Sequence, residues 1–170
     1  MKGVLRILAC ALALGVLPGA GASDVIAGKV VGVQDGDTLT VLDGEQRRHR
    51  IRLAGIDAPE KDQPFGQAAR RSLYAATYRK SVHAQCDKTD RYGRRVCRVR
   101  LADRDVALRQ VERGFAWHLR QLEHEQPPED RARYAAAERK ARERRDGLWA
   151  DDRSVPPWEW RRLAKAAPVH

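Results

Sequence analysis

Residues 35–60 read DGDTLTVLDGEQRRHRIRLAGIDAPE, and their pattern sets the architecture of the chain. Over 38–42 and 48–56 the alternation of apolar and polar residues has the period of two expected of strands, and Asp43-Gly44 between them is a two-residue hairpin signal. Upstream, 25–34 is apolar and β-branched, a strand that ends in the Asp35-Gly36 turn. Three consecutive strands joined by tight turns make a meander. On the third, Arg48, Arg50 and Arg52 alternate with His49, Ile51 and Leu53, so Arg52 and its apolar neighbours face opposite sides of the sheet. Two acidic clusters, Asp35-Gly36-Asp37-Thr38 and Asp57-Ala58-Pro59-Glu60, end apolar runs. With their strands adjacent, Asp37, Asp57 and Glu60 converge on one point and offer only oxygen, the donor set of a hard cation. A cation and an arginine at one mouth suit a phosphate.

Working outward, Pro59 breaks the ladder and Pro64 opens a helix with apolar residues at Phe65, Ala69, Leu73 and Ala76. Residues 81–86 and 95–101 supply two more strands around Arg91-Tyr92-Gly93-Arg94. A second helix spans 105–113 with Gly114 at its end, and 115–117 packs back on the barrel. An exposed polar loop covers 121–128. The third helix, 128–146, begins with proline and two acids, ends in arginines and stops at Gly147; Tyr134, Ala137, Ala141 and Leu148 mark its buried stripe and its arginines form a solvated face. Five strands with a helix between the third and fourth predict a β-barrel plus helices: a five-stranded Greek-key barrel of the oligonucleotide-binding (OB) kind with three α-helices.

Residues 1–22 stand apart. Lys2 and Arg6 precede the apolar run 7–17, and Ala20-Gly21-Ala22 is a small-residue cleavage signal before Ser23, the layout of a signal peptide. The apolar run is shorter than the roughly 20 residues that span a bilayer, and it continues past Cys10, so cleavage is favoured over an anchor or a lipid-modified cysteine. The expected organisation is a signal peptide over 1–22, a domain over 23–149 and a tail over 150–170, the protein being exported to the periplasm or the medium. Pro156-Pro157-Trp158-Glu159-Trp160-Arg161-Arg162 in the tail either stacks on bases or docks on the domain, and residues from Ala164 are expected to fray.

Removing Lys2 and Arg6 from 33 basic residues leaves 31 against 23 acidic, net +8. That surplus favours polyanions, nucleic acid before anionic lipid or cell-wall polymer, although solubility alone also accounts for it. Cys86 and Cys97 flank the 91–94 turn and are expected to pair in an oxidising compartment. Two thiols and five scattered histidines offer no zinc-ligand spacing.

The order DGDT, then Arg52-x-x-x-x-Asp57-x-Pro59-Glu60, then Asp90-Arg91-Tyr92-Gly93-Arg94, then Arg113-Gly114-Phe115-Ala116 resembles the staphylococcal nuclease (thermonuclease) family across nearly all of 25–149. The resemblance implies an OB-fold barrel with a calcium site. Asp37 and Asp57 match the calcium-ligating carboxylates, and Ala58 falls where a main-chain carbonyl contributes; alanine there removes a hydroxyl that some relatives carry. Glu60 matches the carboxylate that holds the attacking water, while Arg52 and Arg94 match the arginines that grip the scissile phosphate. Arg91 and Tyr92 match contacts to a terminal phosphate and nucleotide, with arginine replacing lysine, and Asp35 matches an acid that tunes the site. Downstream of Gly114, Trp117-His118-Leu119 replaces tyrosines that line the family's base pocket, so base preference does not carry over. His118 is expected to be a capping or surface residue rather than a substrate contact.

These residues predict a calcium-dependent nuclease acting on DNA and RNA, a monomer without stable membrane association, that leaves 3′-phosphates. The alternatives are a non-catalytic nucleic-acid-binding module on the same barrel and a cationic envelope-binding protein. The acidic pocket has no purpose in the latter.

Overall fold

Aliphatic and β-branched residues at alternate positions build β1 (Asp24–Val33), β2 (Thr38–Asp43) and β3 (Arg48–Leu53), which pair antiparallel in succession. The structure, a computed structural model, describes residues 24–166. After β3 the chain turns and resumes as the two-residue strand β4 (Ile56–Asp57), followed by helix α1 (Gly66–Thr77). β5 (Ser81–Thr89) pairs antiparallel with both β1 and β6 (Arg95–Leu101). β6 then joins β3 in parallel, with Ile51 opposite Arg95 and Leu53 opposite Cys97. This pairing closes a five-stranded barrel, to which β7 (Arg104–Asp105) adds a short extension.

Val30, Leu39, Val41, Ile51, Leu53, Val82, Ala84 and Val99 fill the barrel and are essentially inaccessible to water. Each fully buried aliphatic side chain contributes about 1.5–3 kcal/mol relative to exposure, so this interior dominates the fold. α1 adds Ala69 and Leu73 to it. α2 (Val106–Glu112) adds Ala107 and Val111 and is capped by Asp105, whose side chain accepts the Leu108 NH at 3.0 Å. β8 (Trp117–His118) pairs antiparallel with β4. α3 (Pro128–Glu143) packs Tyr134 and Ala137 onto the core, and the Tyr134 hydroxyl donates to the other Asp105 oxygen at 2.9 Å.

Several boundaries differ from the periodicity. The 43–44 turn is longer than two residues: Asp43 NH donates to Arg47 O, with Gln46 at φ 62°. The third strand ends at Leu53 because Gly55 takes φ +76°, where an added Cβ would lie 2.1 Å from the Gln126 amide. α1 starts two residues late, since Phe65 adopts a left-handed conformation. α3 stops at Glu143 and the chain reverses through Arg145 and Gly147, both at positive φ. The expected loop over 121–128 is overlapped by the 3₁₀ turn Arg120–Glu125, which begins one residue before it. In the tail a fourth helix, α4 (Pro157–Ala166), stands beyond the three expected, and residues 164–166, expected to fray, are helical. The signal segment 1–22 lies outside the described residues. No helix among the described residues is long and apolar enough to cross a membrane.

Cys86 and Cys97 are direct cross-strand partners, and they are joined by a disulfide. The bond closes a loop with a sequence separation of 11, for which the chain-entropy model gives about 3 kcal/mol. Replacing both cysteines by alanine is therefore expected to lower the unfolding free energy by about that amount in a urea titration. An unchanged midpoint would show that the hairpin register alone holds these strands.

Candidate active site

The loop between β1 and β2 is shaped from beneath by two helices. Gly36 leaves no room for a side chain: a Cβ would lie 2.6 Å from those of Ala58 and Ala69. Its carbonyl accepts from the buried Gln110 amide of α2 at 2.8 Å, and the same amide donates to Ala69 O on α1 at 3.1 Å. The Gln110 carbonyl in turn accepts from Ser72 at 2.7 Å. Asp37 is thereby fixed at the barrel rim. Its Oδ2 accepts the Ala58 NH at 3.1 Å, its Oδ1 accepts the Thr38 hydroxyl at 2.9 Å, and its own NH donates to Asp35 at 3.0 Å.

Asp57 comes from β4, held opposite Trp117 of β8. Arg52 projects from β3 between the two acids: Nη1 donates to Ile56 O at 3.1 Å, while Nη2 lies 2.9 Å from Asp57 and 3.4 Å from Asp37. Arg94 approaches from the turn between β5 and β6. Its Nε donates to Asp90 at 2.7 Å and its Nη1 to Thr38 at 3.3 Å, so Thr38 links Arg94 to Asp37. On that turn Arg91 donates to the Tyr92 hydroxyl at 2.8 Å, and both Arg91 and Arg94 lie over the exposed Tyr92 ring, at 4.9 and 5.4 Å from its centroid.

Glu60 is positioned through its backbone. Its NH donates to the Gln63 side chain at 3.1 Å, and its carbonyl abuts Gly66, where a Cβ would lie only 1.8 Å from that oxygen. Its carboxylate meets Arg161 of α4 at 2.6 Å, and the same guanidinium reaches Asp57 Oδ2 at 2.7 Å.

Burial and the neighbouring Asp37 push the Asp35 carboxyl up to about 6. Burial also raises Asp57, against the opposing pull of Arg161 and Arg52. The Arg52 guanidinium is held further above its ordinary range, by Asp37 first and by Asp57 in addition, despite its burial. Burial opposes the charge of Arg161, yet its bonds to Asp57 and Glu60 outweigh that effect. Asp90 is raised by burial but lowered more by the backbone and side chain of Arg94, and so stays below the usual carboxylate range.

The structure thus gathers Asp37, Asp57, Arg52 and Arg94, with Asp35, Arg91 and Tyr92 at the rim of the same cavity of about 530 Å³. Glu60 lines that cavity, but the convergence of three carboxylates expected from the sequence does not occur. Among the described residues, no three His, Cys, Asp or Glu side chains are gathered to hold a metal ion. Glu60 is instead drawn to Arg161. The two buried aspartates still fit a hard cation with few protein ligands: both lie within 3.4 Å of one Arg52 nitrogen, and Ala58, which follows Asp57 and donates its NH to Asp37, adds no competing side-chain donor.

A second cavity of about 720 Å³ adjoins the first, with Leu119, Leu122, Tyr134 and Trp158 on its more apolar side. His118, expected as a cap or at the surface, is buried behind it and bonded to Gln126 at 2.8 Å. Sequence reasoning missed Thr38 as a link, Gln110 as a clamp and, above all, Arg161. One signal for the last was present: a helix opened by Pro157 places Trp158 and Arg161 three residues apart, on one face.

A family model described as staphylococcal nuclease homologue matches residues 50–151, a span that begins after Asp37 and contains Arg52, Asp57, Glu60 and Arg94. A Haemophilus influenzae protein named as an uncharacterized endonuclease is 37% identical over 137 residues, covering 81% of this chain and 74% of its own length. The Escherichia coli protein ParB is 40% identical over 146 residues (81% and 80%), and a Shigella flexneri micrococcal nuclease is 38% identical over 151 residues (82% and 83%).

Proposed function

The chain belongs to the staphylococcal nuclease family and is a phosphodiester hydrolase, and from that premise we propose that it is an exported, calcium-dependent nuclease that cleaves DNA and RNA with little sequence preference, leaving 3′-phosphates. The observation that carries this reading is the meeting of Arg52 and Arg94 with the Asp37–Asp57 pair on one cavity. Hydrolysis adds charge to the equatorial oxygens of a five-coordinate phosphorus. Two permanently charged guanidinium forks, already oriented by Ile56 O, Asp90 and Thr38, meet such oxygens without reorganising. Asp37 and Asp57, with the Ala58 carbonyl, would hold calcium, which when bound neutralises phosphate charge and lowers the barrier to water attack. Glu60 accepts the proton of the attacking water. Water forms the new bond to phosphorus, the bond to the 5′-oxygen breaks, that oxygen takes up a proton from solvent to become a 5′-hydroxyl, and the phosphate stays on the 3′ side.

Export is supported by the 1–22 signal pattern and by the Cys86–Cys97 disulfide, which suits an oxidising compartment. The surplus of positive charge favours nucleic acid as substrate; a monomer without stable membrane association after signal cleavage completes the proposal. The competing reading, a barrel that only binds nucleic acid, leaves unexplained why two buried acids and two oriented arginines share one rim. The test is to incubate the mature chain, from Ser23, with single-stranded and plasmid DNA in calcium and again with chelator. Degradation that chelator abolishes and calcium restores is the expected result. Salt-sensitive binding without cleavage in any divalent metal would overturn the assignment.

A further inference from the structure

We propose that helix α4 is a built-in cap on this site, with Arg161 an intramolecular competitor of the divalent cation for Asp57 that also occupies the Glu60 carboxylate. The inference rests on the calcium-dependent reading above and adds a regulatory element to it. The Arg161 fork spans both carboxylates, at 2.7 Å from Asp57 Oδ2 and 2.6 Å from Glu60 Oε1. Asp57 is 3% exposed, so its charge requires a cationic neighbour. In the capped form Arg161 joins Arg52 in that role.

The tail is seated by further contacts, some of them to neighbours of the same two acids. Gln63, whose carbonyl oxygen accepts the Glu60 NH, donates its amide to Val155 O at 2.6 Å, so one side chain fastens both the Glu60 loop and the chain entering α4. Ser154 donates to Leu148 O, and Pro157 at the head of α4 is buried. The Trp158 ring meets the edge of Trp117 at 6.4 Å, and Trp117 is the strand partner of Asp57. α4 also stands where the two cavities join: Trp158 lines the larger and Arg161 lines both.

Both functions of the acids conflict with this pairing. Asp57 Oδ2 committed to a guanidinium is not open to a metal, and Glu60 committed to the same group is a poorer acceptor for a proton from water. Binding of a dication and withdrawal of Arg161 are therefore linked, and the apparent cation affinity falls by the fraction of molecules that are uncapped. A site capped nine times in ten binds about tenfold more weakly than an open one.

The experiment is calorimetric titration of calcium chloride, without substrate, into the full mature chain and three variants. Arg161→Gln removes the competitor. Arg50→Gln removes a positive charge from an exposed arginine that lines the same polar cavity, and measures the purely Coulombic effect. Trp158→Ala loosens the cap without changing charge. Arg161→Gln is expected to tighten calcium binding about tenfold, Trp158→Ala to tighten it by a smaller factor, and Arg50→Gln to change it no more than about twofold. Arg161→Gln binding calcium no more tightly than Arg50→Gln, or Trp158→Ala failing to tighten it, overturns the cap while leaving the calcium-dependent reading intact. Unchanged calcium affinity in Arg161→Gln with a raised KM for DNA would make Arg161 a substrate contact instead and equally overturns it. Absence of calcium binding in every protein would overturn both readings.

Discussion

Arg52→Lys is expected to lower kcat on DNA by about a thousandfold, or ~4 kcal/mol of transition-state stabilisation, with little change in thermal stability. The charge survives this substitution; the fork does not. In the structure one guanidinium donates to Ile56 O and Asp57 through separate nitrogens and also lies within 3.4 Å of Asp37. A lysine ammonium is a single point on a flexible stem and cannot serve three acceptors and a phosphate in one plane. Arg52 is the more demanding of the two arginines because its side chain is only 14% exposed, between acids that are more buried still. Full removal, as in Arg52→Ala, would leave those acids uncompensated and destabilise by about 3–5 kcal/mol, which confuses folding with chemistry. Lysine separates the two. Single-turnover rates at saturating substrate and a melting curve on the same protein check the prediction, and near-wild-type turnover would show that positive charge without forked geometry suffices.

That Arg52 faces the acids was legible because it is a consequence of period two: Ile51 and Leu53 are buried in the barrel and the residue between them points the other way. The Cys86–Cys97 pairing was legible for a similar reason, since a hairpin about a central turn makes its flanks partners. The β4–β8 pairing was not. Two-residue strands have no periodicity, and Asp57 is held opposite Trp117 by a register formed across 60 positions of chain. The break at Gly55 likewise depends on Gln126, a distant residue that occupies the space a side chain would need. The sequence identified the acids by type and spacing but not their partition, in which Asp37 and Asp57 share Arg52 while Glu60 turns to Arg161. Contacts to Arg161 cross more than a hundred residues, and composition around Trp158 and Trp160 indicated only that the tail docks or stacks.

That partition makes Glu60 the residue whose replacement discriminates most sharply between chemistry and structure. Glu60→Gln is expected to lower kcat by about 10²–10⁴-fold while changing stability by less than about 0.5 kcal/mol. Glutamine preserves the volume and the oxygen of glutamate but cannot take a proton from water. Its placement is secured by the backbone: the Gln63 bond to the Glu60 NH and the close approach of Gly66 to the Glu60 carbonyl remain in the variant. The side chain is 36% exposed, so loss of its ion pair with Arg161 has little effect on folding. If Glu60 served only to anchor α4, the variant would retain its rate and bind calcium more tightly as the cap loosened. If Glu60 accepts the proton, the rate falls even at saturating calcium, because uncapping the site cannot restore a base that is no longer there. Measuring kcat at saturating calcium therefore separates the two roles within a single variant.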